Sequence, residues 1–466
     1  MAERDRGERR ATVIGAGLAG SECALQLAAR GIDVTLVEQR PVQSSPAHHT
    51  DRFAELVCSN SLKATRVESA AGLLKVELDA MGSRLIRIAR ECAVPAGGAL
   101  AVDRDAFSQA VTDAVSSEPR ITVERREATD IPEGHVVIAA GPLCSEALFS
   151  AIARLVGGDH LSFFDAAAPI VEAESLDRSI IFEQSRYGEE GAGDYLNCPM
   201  SREEYEAFWE ALVGAERVIS RDFEGRDLFQ ACQPAEEVAR KGIDALRFGA
   251  LKPVGLIDPR TGRRPWAAVQ LRAENAERTA YNLVGFQTNL TWGEQARVFR
   301  MIPGLGEAVF ARYGVMHRNS FVDSPRVLDP SFAVPGTKVR LAGQITGTEG
   351  YVEAIASGLL AAANTVADIE GLPRVELPRT SAFGALVSYA TDPATEPYQP
   401  MHVNFGIIAP LDEHRRGKRE RYRAYAERAA RDLKAYLASR KDLFGDADLS
   451  ALDLPPFEAS APRGRS

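Results

Sequence analysis

Gly15-Ala16-Gly17-Leu18-Ala19-Gly20 is the stretch of this 466-residue chain best suited to hold a phosphate-bearing ligand. Gly15 allows a tight turn. Gly17 lets backbone approach a pyrophosphate, and Gly20 lets a helix pack closely on the preceding strand. The helix expected from Ser21 to Arg30 turns its unpaired N–H groups and the positive end of its dipole toward the phosphates. Glu38 lies 18 residues past Gly20 and ends a strand that starts at Asp33. A carboxylate there can accept hydrogen bonds from a ribose. Strand, glycine turn, helix, strand and acid in this order predict an adenine dinucleotide. The competing reading is a ligand-free glycine-rich turn in a Rossmann-like sheet.

A second device of this kind comes late. Lys338-Val-Arg-Leu-Ala-Gly-Gln-Ile-Thr-Gly-Thr-Glu-Gly350 reads as a strand entering a glycine-rich turn, followed by a small-residue helix from Tyr351 to Ala363. Gly343, Gly347 and Gly350 would admit a cofactor close to the backbone, and the repetition favours FAD over NAD as the tightly held dinucleotide. The six cysteines are Cys23, Cys58, Cys92, Cys144, Cys198 and Cys232. None forms Cys-x-x-Cys and no Cys/His group has zinc spacing, so no metal site is expected. Most should be reduced, buried and small-hydrophobic in role.

Alternation of strand and helix through residues 11–141 implies a parallel, doubly wound sheet, hence an α/β fold with a Rossmann-type FAD-binding domain. From about residue 176 the pattern changes. Hairpin-like segments, Arg247–Gly255 and Trp266–Arg272, flank the turn-rich Asp258-Pro-Arg-Thr-Gly-Arg-Arg264. The expected division is residues 1–175 for the first part of the FAD-binding domain, 176–314 for a mixed α/β insertion domain, and 315–466 for the second part. That last part ends in a basic helix over 413–441 and a tail. The helix carries eleven Lys or Arg against four acids, in a chain of net charge −10. A solvated surface helix is the better reading of that segment alone. The N-terminus lacks a signal peptide's apolar core, and no apolar run is expected to approach membrane-spanning length. A cytoplasmic protein without membrane association is expected.

At Glu55-Leu-Val-Cys-Ser-Asn-Ser-Leu62 the motifs become specific. The chain resembles the folate- and FAD-dependent tRNA (uracil-5-)-methyltransferases almost end to end. The resemblance is carried by Gly15–Glu22, Cys58–Leu62, Pro95–Asp103, Tyr195–Met200, Leu246–Leu256, Val284–Thr288, His317–Asn319 and Leu341–Tyr351. It implies methylation of carbon 5 of a T-loop uridine in tRNA. Methylenetetrahydrofolate is the implied carbon donor, reduced FAD the reductant, and NADPH or NADH the source that recharges the flavin. It also implies two paired thiols, here Cys58 and Cys232. One departure stands out: the family's Phe-Glu-Gly-Cys-x-Pro reads Phe229-Gln-Ala-Cys-Gln-Pro234 here, so a carboxylate near Cys232 is missing.

The chemistry explains the thiols. Carbon 5 of uracil is a poor nucleophile until a thiolate adds to carbon 6. It then attacks an activated methylene, a base removes its proton, and a hydride equivalent completes the methyl group. The insertion, on the RNA and folate side, puts Cys232 at carbon 6 and leaves Cys58 beside the flavin as proton acceptor or methylene-handling group; the reverse assignment stays open. Lys63 and Arg66, or Arg240 and Lys241, are the cations expected to favour the thiolates. A flipped uridine needs its phosphates held. Arg260, Arg263, Arg264 and the basic helix are the candidates, with a solvated hairpin tip as the competing reading for the three arginines. His317 either stacks on a pterin or is a structural histidine. His48 and His49 line the flavin pocket or face solvent. No obligate protein partner is expected. The rival readings are the same chemistry on ribosomal RNA, a sister flavoprotein family acting on anticodon uridines, and a non-catalytic flavin-containing RNA-binding protein.

Overall fold

The computed structural model describes residues 9–45, 47–157, 161–166, 168–186, 193–218, 233–314, 316–396, 398–413, 415 and 417–457. Its first layer is a parallel five-stranded sheet in the order Val339–Leu341, Val136–Ile138, Arg10–Ile14, Asp33–Glu38, Ile121–Arg125. These strands are short apolar runs because helices cover them. The helix Leu18–Ala29 is buried along nearly its whole length. It packs against the long helix Tyr351–Glu370, and both crossings need glycine. A Cβ on Gly20 would stand 1.8 Å from the Gly15 carbonyl oxygen, and one on Gly358 would stand 2.1 Å from that of Ala19. The strand that closes the sheet edge thus comes from the last third of the chain.

The helix Tyr351–Glu370 corrects one reading. It is long and apolar enough to span a bilayer, but 89% of that apolar window is buried inside the protein. The residues 67–92 resolve into the helices Ala70–Ala80 and Arg84–Glu91, separated at Gly82 in a left-handed conformation.

A second layer system follows. Six strands form a sheet ordered Phe182–Glu183, Tyr195–Met200, Ala267–Ala273, Ala280–Leu283, Ile170–Glu172, Phe310–Arg312, antiparallel at every pairing. It has its own hydrophobic core, drawn from residues 168–310, with Phe208, Phe286 and Phe299 in contact. The principal core takes residues from 11–156 and 321–452. The antiparallel pair Leu161–Ala166 and Met316–Phe321 joins the two systems in sequence. Arg247–Gly255 is not the hairpin arm that its apolar content predicts. It begins inside the short helix Ala245–Phe248 and continues as turns, because Gly249, Pro253 and a left-handed Gly255 interrupt any strand.

Two buried glutamates cap backbone far from their own segments. Glu77 accepts from the N–H groups of Ala382 and Phe383, both at 2.8 Å, at the start of the helix Ala382–Thr391. Glu236 accepts from Thr288 Oγ1 at 3.0 Å and from the Asn289 N–H at 2.7 Å. Burial pushes each carboxyl up to about 7, against the hydrogen bonds that pull it down. A folded-state pKa above the unfolded value gives stability that is complete below about pH 4.3 and lost as pH rises through 7. The urea midpoint is therefore expected to fall between about pH 5 and 7 and to level off above that, with a slope of at most about 1.4 kcal/mol per pH unit per group. Glu77→Gln should flatten that slope; a midpoint independent of pH in the wild type would contradict the assignment.

Candidate functional site

A cleft runs across the carboxyl edges of the parallel strands. Its open space, with the solvent at its mouth included, is about 1490 Å³. Gly15, Gly17, Leu18, Ala19, Glu38, Gly343 and Gly350 all line it. Ala16 and Gly20 lie just behind as the buried floor. Gly15, at φ 98°, has Ala139 and Ala140 backbone within 2.6 Å of where a Cβ would stand. A Cβ on Gly17, by contrast, would meet nothing within 4 Å. Gly17 is also the N-cap of the helix Leu18–Ala29, which has no side-chain cap and no acid in its first turn. Open space in front of uncapped N–H groups is what a pyrophosphate requires. Gly347, at φ 73°, is set back from the cleft against Tyr398, whose hydroxyl would lie 2.4 Å from a Cβ there. These features fit FAD.

Glu38 is buried and tightly held. Its Oε2 accepts from the Ala16 N–H at 2.8 Å, and its Oε1 accepts from the Arg40 N–H at 3.0 Å and Arg40 Nε at 2.9 Å. Burial alone would raise this carboxyl; the Arg40 charge and the hydrogen bonds outweigh it and hold it below the ordinary range. A carboxylate has about four acceptor positions, so one remains for a ribose hydroxyl. Arg40 also bridges to Glu55 at 3.1 Å. His48 lines the cleft beside them. Burial and the Arg40 charge push its pKa down to about 4, leaving a neutral ring at pH 7.

Cys58 lines the same cleft, half-buried. Its loop is pinned from both layer systems. The Cys58 N–H donates to Tyr351 Oη at 2.8 Å. Its carbonyl accepts from Arg104 Nη2 and Arg312 Nη2, both at 3.3 Å. Arg104 also donates to the Leu56 carbonyl and pairs with Glu274 at 2.6 Å. Asn60 receives Arg272 Nε at 2.8 Å and donates to the carbonyls of Val102 and Ala273, both at 2.9 Å. Arg104, Arg272 and Arg312 each feel the Cys58 sulfur electrostatically. Burial and then Cys58 itself push the Tyr351 hydroxyl up, so it stays protonated. Three arginines thus brace the Cys58 loop. Lys63 lines the cleft but pairs with Glu353 at 3.1 Å, and Arg66 is exposed. Only proximity in space could have revealed them, since Arg312 and Tyr351 are 254 and 293 residues away along the chain.

Cys232 lies outside the described residues. The flanks of its segment are held, however, at neighbouring points: the Val218 N–H donates to the Asn289 carbonyl at 2.8 Å and the Ala235 N–H to that of Gln287 at 2.7 Å. His317 sits on the strand Met316–Phe321, opposite Asp165. Arg260 is tied to Asp258 of its own turn at 2.8 Å, while Arg263 and Arg264 are exposed, and none of the three lines the cleft. The basic helix spans Lys418–Ser439, and several of its cations are engaged internally. Arg423 is buried against Glu68 and Glu427, Arg428 donates to the Ala409 and Pro410 carbonyls, and Lys434 pairs with Asp453. Cys23 and Cys198 are buried, and burial pushes both thiols up. Among the described residues no group of His, Cys, Asp and Glu has the arrangement of a metal site.

Residues 10–373 match the family described as Glucose inhibited division protein A. The methylenetetrahydrofolate–tRNA-(uracil-5-)-methyltransferase TrmFO of Moorella thermoacetica is 54% identical over 419 residues, covering 90% of this chain and 96% of that protein. The enzyme of the same name from Enterococcus faecalis is 50% identical over 435 residues, covering 93% and 100%. Among solved structures, Aquifex aeolicus GidA superposes with TM-scores of 0.65 and 0.66 in two crystal forms at 16% identity. It covers 92% and 94% of this chain, and 73% and 77% of the GidA chain, and shows the shared fold.

Proposed function

The chain belongs to the folate-dependent tRNA (uracil-5-)-methyltransferase family, within the wider Glucose inhibited division protein A family, and we propose how its residues divide the work. It methylates carbon 5 of a tRNA uracil with methylenetetrahydrofolate as donor and FAD as cofactor. The bound flavin supplies the electrons that turn a transferred methylene into a methyl. The observation that carries the residue assignment is Cys58 in the wall of the dinucleotide cleft, beside Gly343, Gly350 and Tyr351.

In this reading Glu38 takes the ribose, and the backbone from Gly15 to Gly20, with Ala16, Leu18 and Ala19 between, takes the pyrophosphate. Gly343 and Gly350 shape the wall over the flavin half, and Gly347 turns the backbone behind it. Cys232 adds to carbon 6 of the uracil, and its thiolate leaves again when the methyl is complete. Cys58 removes the proton from carbon 5. Arg104 and Arg312 hold its carbonyl, Arg272 braces Asn60 two residues on, and Tyr351 fixes its backbone N–H. The insertion domain, residues 176–314, carries the RNA and folate side. Within it Arg263 and Arg264 are freer than Arg260 to meet phosphate, and on the basic helix Lys418, Arg419, Arg421 and Arg431 are exposed. His317 stacks on the pterin. The target is the T-loop uridine, NADPH or NADH recharges the flavin, and the enzyme works in the cytoplasm without membrane or obligate protein partner.

The test incubates the purified yellow protein with NADPH, methylenetetrahydrofolate and unmodified tRNA, then locates the methyl by mass spectrometry. A methylated T-loop uridine is expected. A methyl found only when ribosomal RNA is supplied, or none with any RNA, would overturn the target assignment.

A further inference from the structure

The order of strands fixes the direction in which a dinucleotide runs. The strand Arg10–Ile14, which delivers the pyrophosphate turn, is central, with Asp33–Glu38 and Ile121–Arg125 on one side and Val136–Ile138 and Val339–Leu341 on the other. With Glu38 at the ribose, the flavin half falls on the second side, among Cys58, Lys63, Gly343, Gly350 and Tyr351. Among the described residues lining that side, Lys63 is the one cation.

Three observations converge on it. Its backbone is left-handed, with φ 64°, which a lysine rarely adopts and which marks a position over-determined by its surroundings. Its Nζ lies 3.1 Å from Glu353 Oε1, and Glu353 is fully buried, its Oε2 without a hydrogen-bond partner among the described residues. A Cβ on Gly350 would stand 2.2 Å from that Oε2 and 2.9 Å from Lys63 Nζ. The pair is therefore pressed against the N-cap of the helix Tyr351–Glu370, whose dipole adds positive potential at the same point.

We propose that Lys63 sets the reduction potential of the bound flavin, with Glu353 tempering its charge. The inference rests on the cofactor reading above. Uptake of two electrons and one proton, as one hydride equivalent from a nicotinamide or as dithionite electrons plus a solvent proton, would convert the neutral oxidised flavin into reduced flavin with one negative charge. An ammonium in the cleft wall and a helix N-terminus both favour that anion over the neutral oxidised ring. Lys63 is thus a positioning charge for the flavin, separate from the thiols.

The experiment poises the holoenzyme and its variants anaerobically with dithionite against an indicator dye of known potential and reads the flavin absorbance. At a fixed potential, Lys63→Met should lower the ratio of reduced to oxidised flavin about tenfold, equivalent to about 30 mV. Lys63→Arg should stay near wild type, and Glu353→Gln should shift the ratio upward. Should Lys63→Met lose its flavin, apoprotein is titrated with oxidised and with dithionite-reduced FAD; the affinity for the reduced form should fall about tenfold more. A Lys63→Met protein with the wild-type ratio, or with equal losses for both forms, would overturn the proposal. A wild-type protein that binds no flavin would instead overturn the cofactor reading.

Discussion

Cys58→Ala is expected to lower methyl transfer by about 10³-fold or more while leaving the protein yellow and folded. The magnitude follows from the roughly 10²–10⁴-fold carried by a positioned proton-transfer group. The retained colour follows from the contacts of Cys58. Its backbone N–H and carbonyl hold Tyr351, Arg104 and Arg312. Alanine keeps all three bonds. Cys232→Ala should be as inactive, and the double variant no worse than either single one, because groups that act in sequence on one substrate are not additive. The roles separate with tRNA carrying 5-fluorouracil, whose carbon 5 offers no proton to remove. Cys58→Ala should still form a covalent adduct on denaturing gels and Cys232→Ala should not. The opposite pattern would exchange the two roles, and full activity in both variants would end the thiol mechanism.

What could be read from the chain alone depended on distance along it. The first strand, glycine turn and helix, ending in Glu38, were legible because every contact that makes them work is local: Ala16 to Glu38 is 22 residues, Gly20 to Gly15 only five. The late glycine turn was legible for the same reason, and its return to the first sheet followed from its strand-like run of small and apolar residues. The electrostatics of Cys58 were not legible. Lys63 is five residues away in sequence, yet its ammonium turns to Glu353, while the guanidiniums that reach the Cys58 loop come from three distant segments. Charge near a thiol is a property of the tertiary fold, and nearness in sequence is a poor substitute for it. Arg247–Gly255 misled in the other direction. Its apolar residues imitate a strand, but Phe248 and Val254 are exposed, and the glycines and proline turn the backbone instead of extending it. The arginines near residue 260 show the same limit. A cluster of three reads as phosphate-binding until one is found spent on Asp258 of its own turn.

A pair of glycine substitutions should separate the fold from the cofactor more sharply than any change at the thiols. Gly20 and Gly17 belong to one motif, three residues apart, but their surroundings differ. At Gly20 a Cβ would penetrate the Gly15 carbonyl, at 1.8 Å, with the Ala139 Cβ a further 3.3 Å neighbour. Both contacts are to buried, rigid parts of the central sheet, so relief requires the helix Leu18–Ala29 to move away from it. That movement in turn breaks the seat of Gly358 on Ala19. Gly20→Ala is therefore expected to destabilise the apoprotein by about 1–3 kcal/mol, the range for overpacking a core, and to lose FAD as a consequence. At Gly17 nothing stands within 4 Å, and its φ of −74° is open to any L-residue. Gly17→Ala should leave apoprotein melting within about 2 °C of wild type, consistent with a surface-like change of under about 0.5 kcal/mol. Its methyl group, however, would occupy the space in front of the uncapped helix N-terminus, where the pyrophosphate must come closest. FAD affinity should then fall by about 10²-fold or more, a cost of about 2.7 kcal/mol, while FAD-dependent thermal stabilisation disappears. Differential scanning fluorimetry of apoprotein with and without FAD reads both effects in one experiment. If Gly17→Ala bound FAD like wild type, the open floor of the cleft would not be the pyrophosphate site, and the direction assigned to the dinucleotide across the sheet would fall with it.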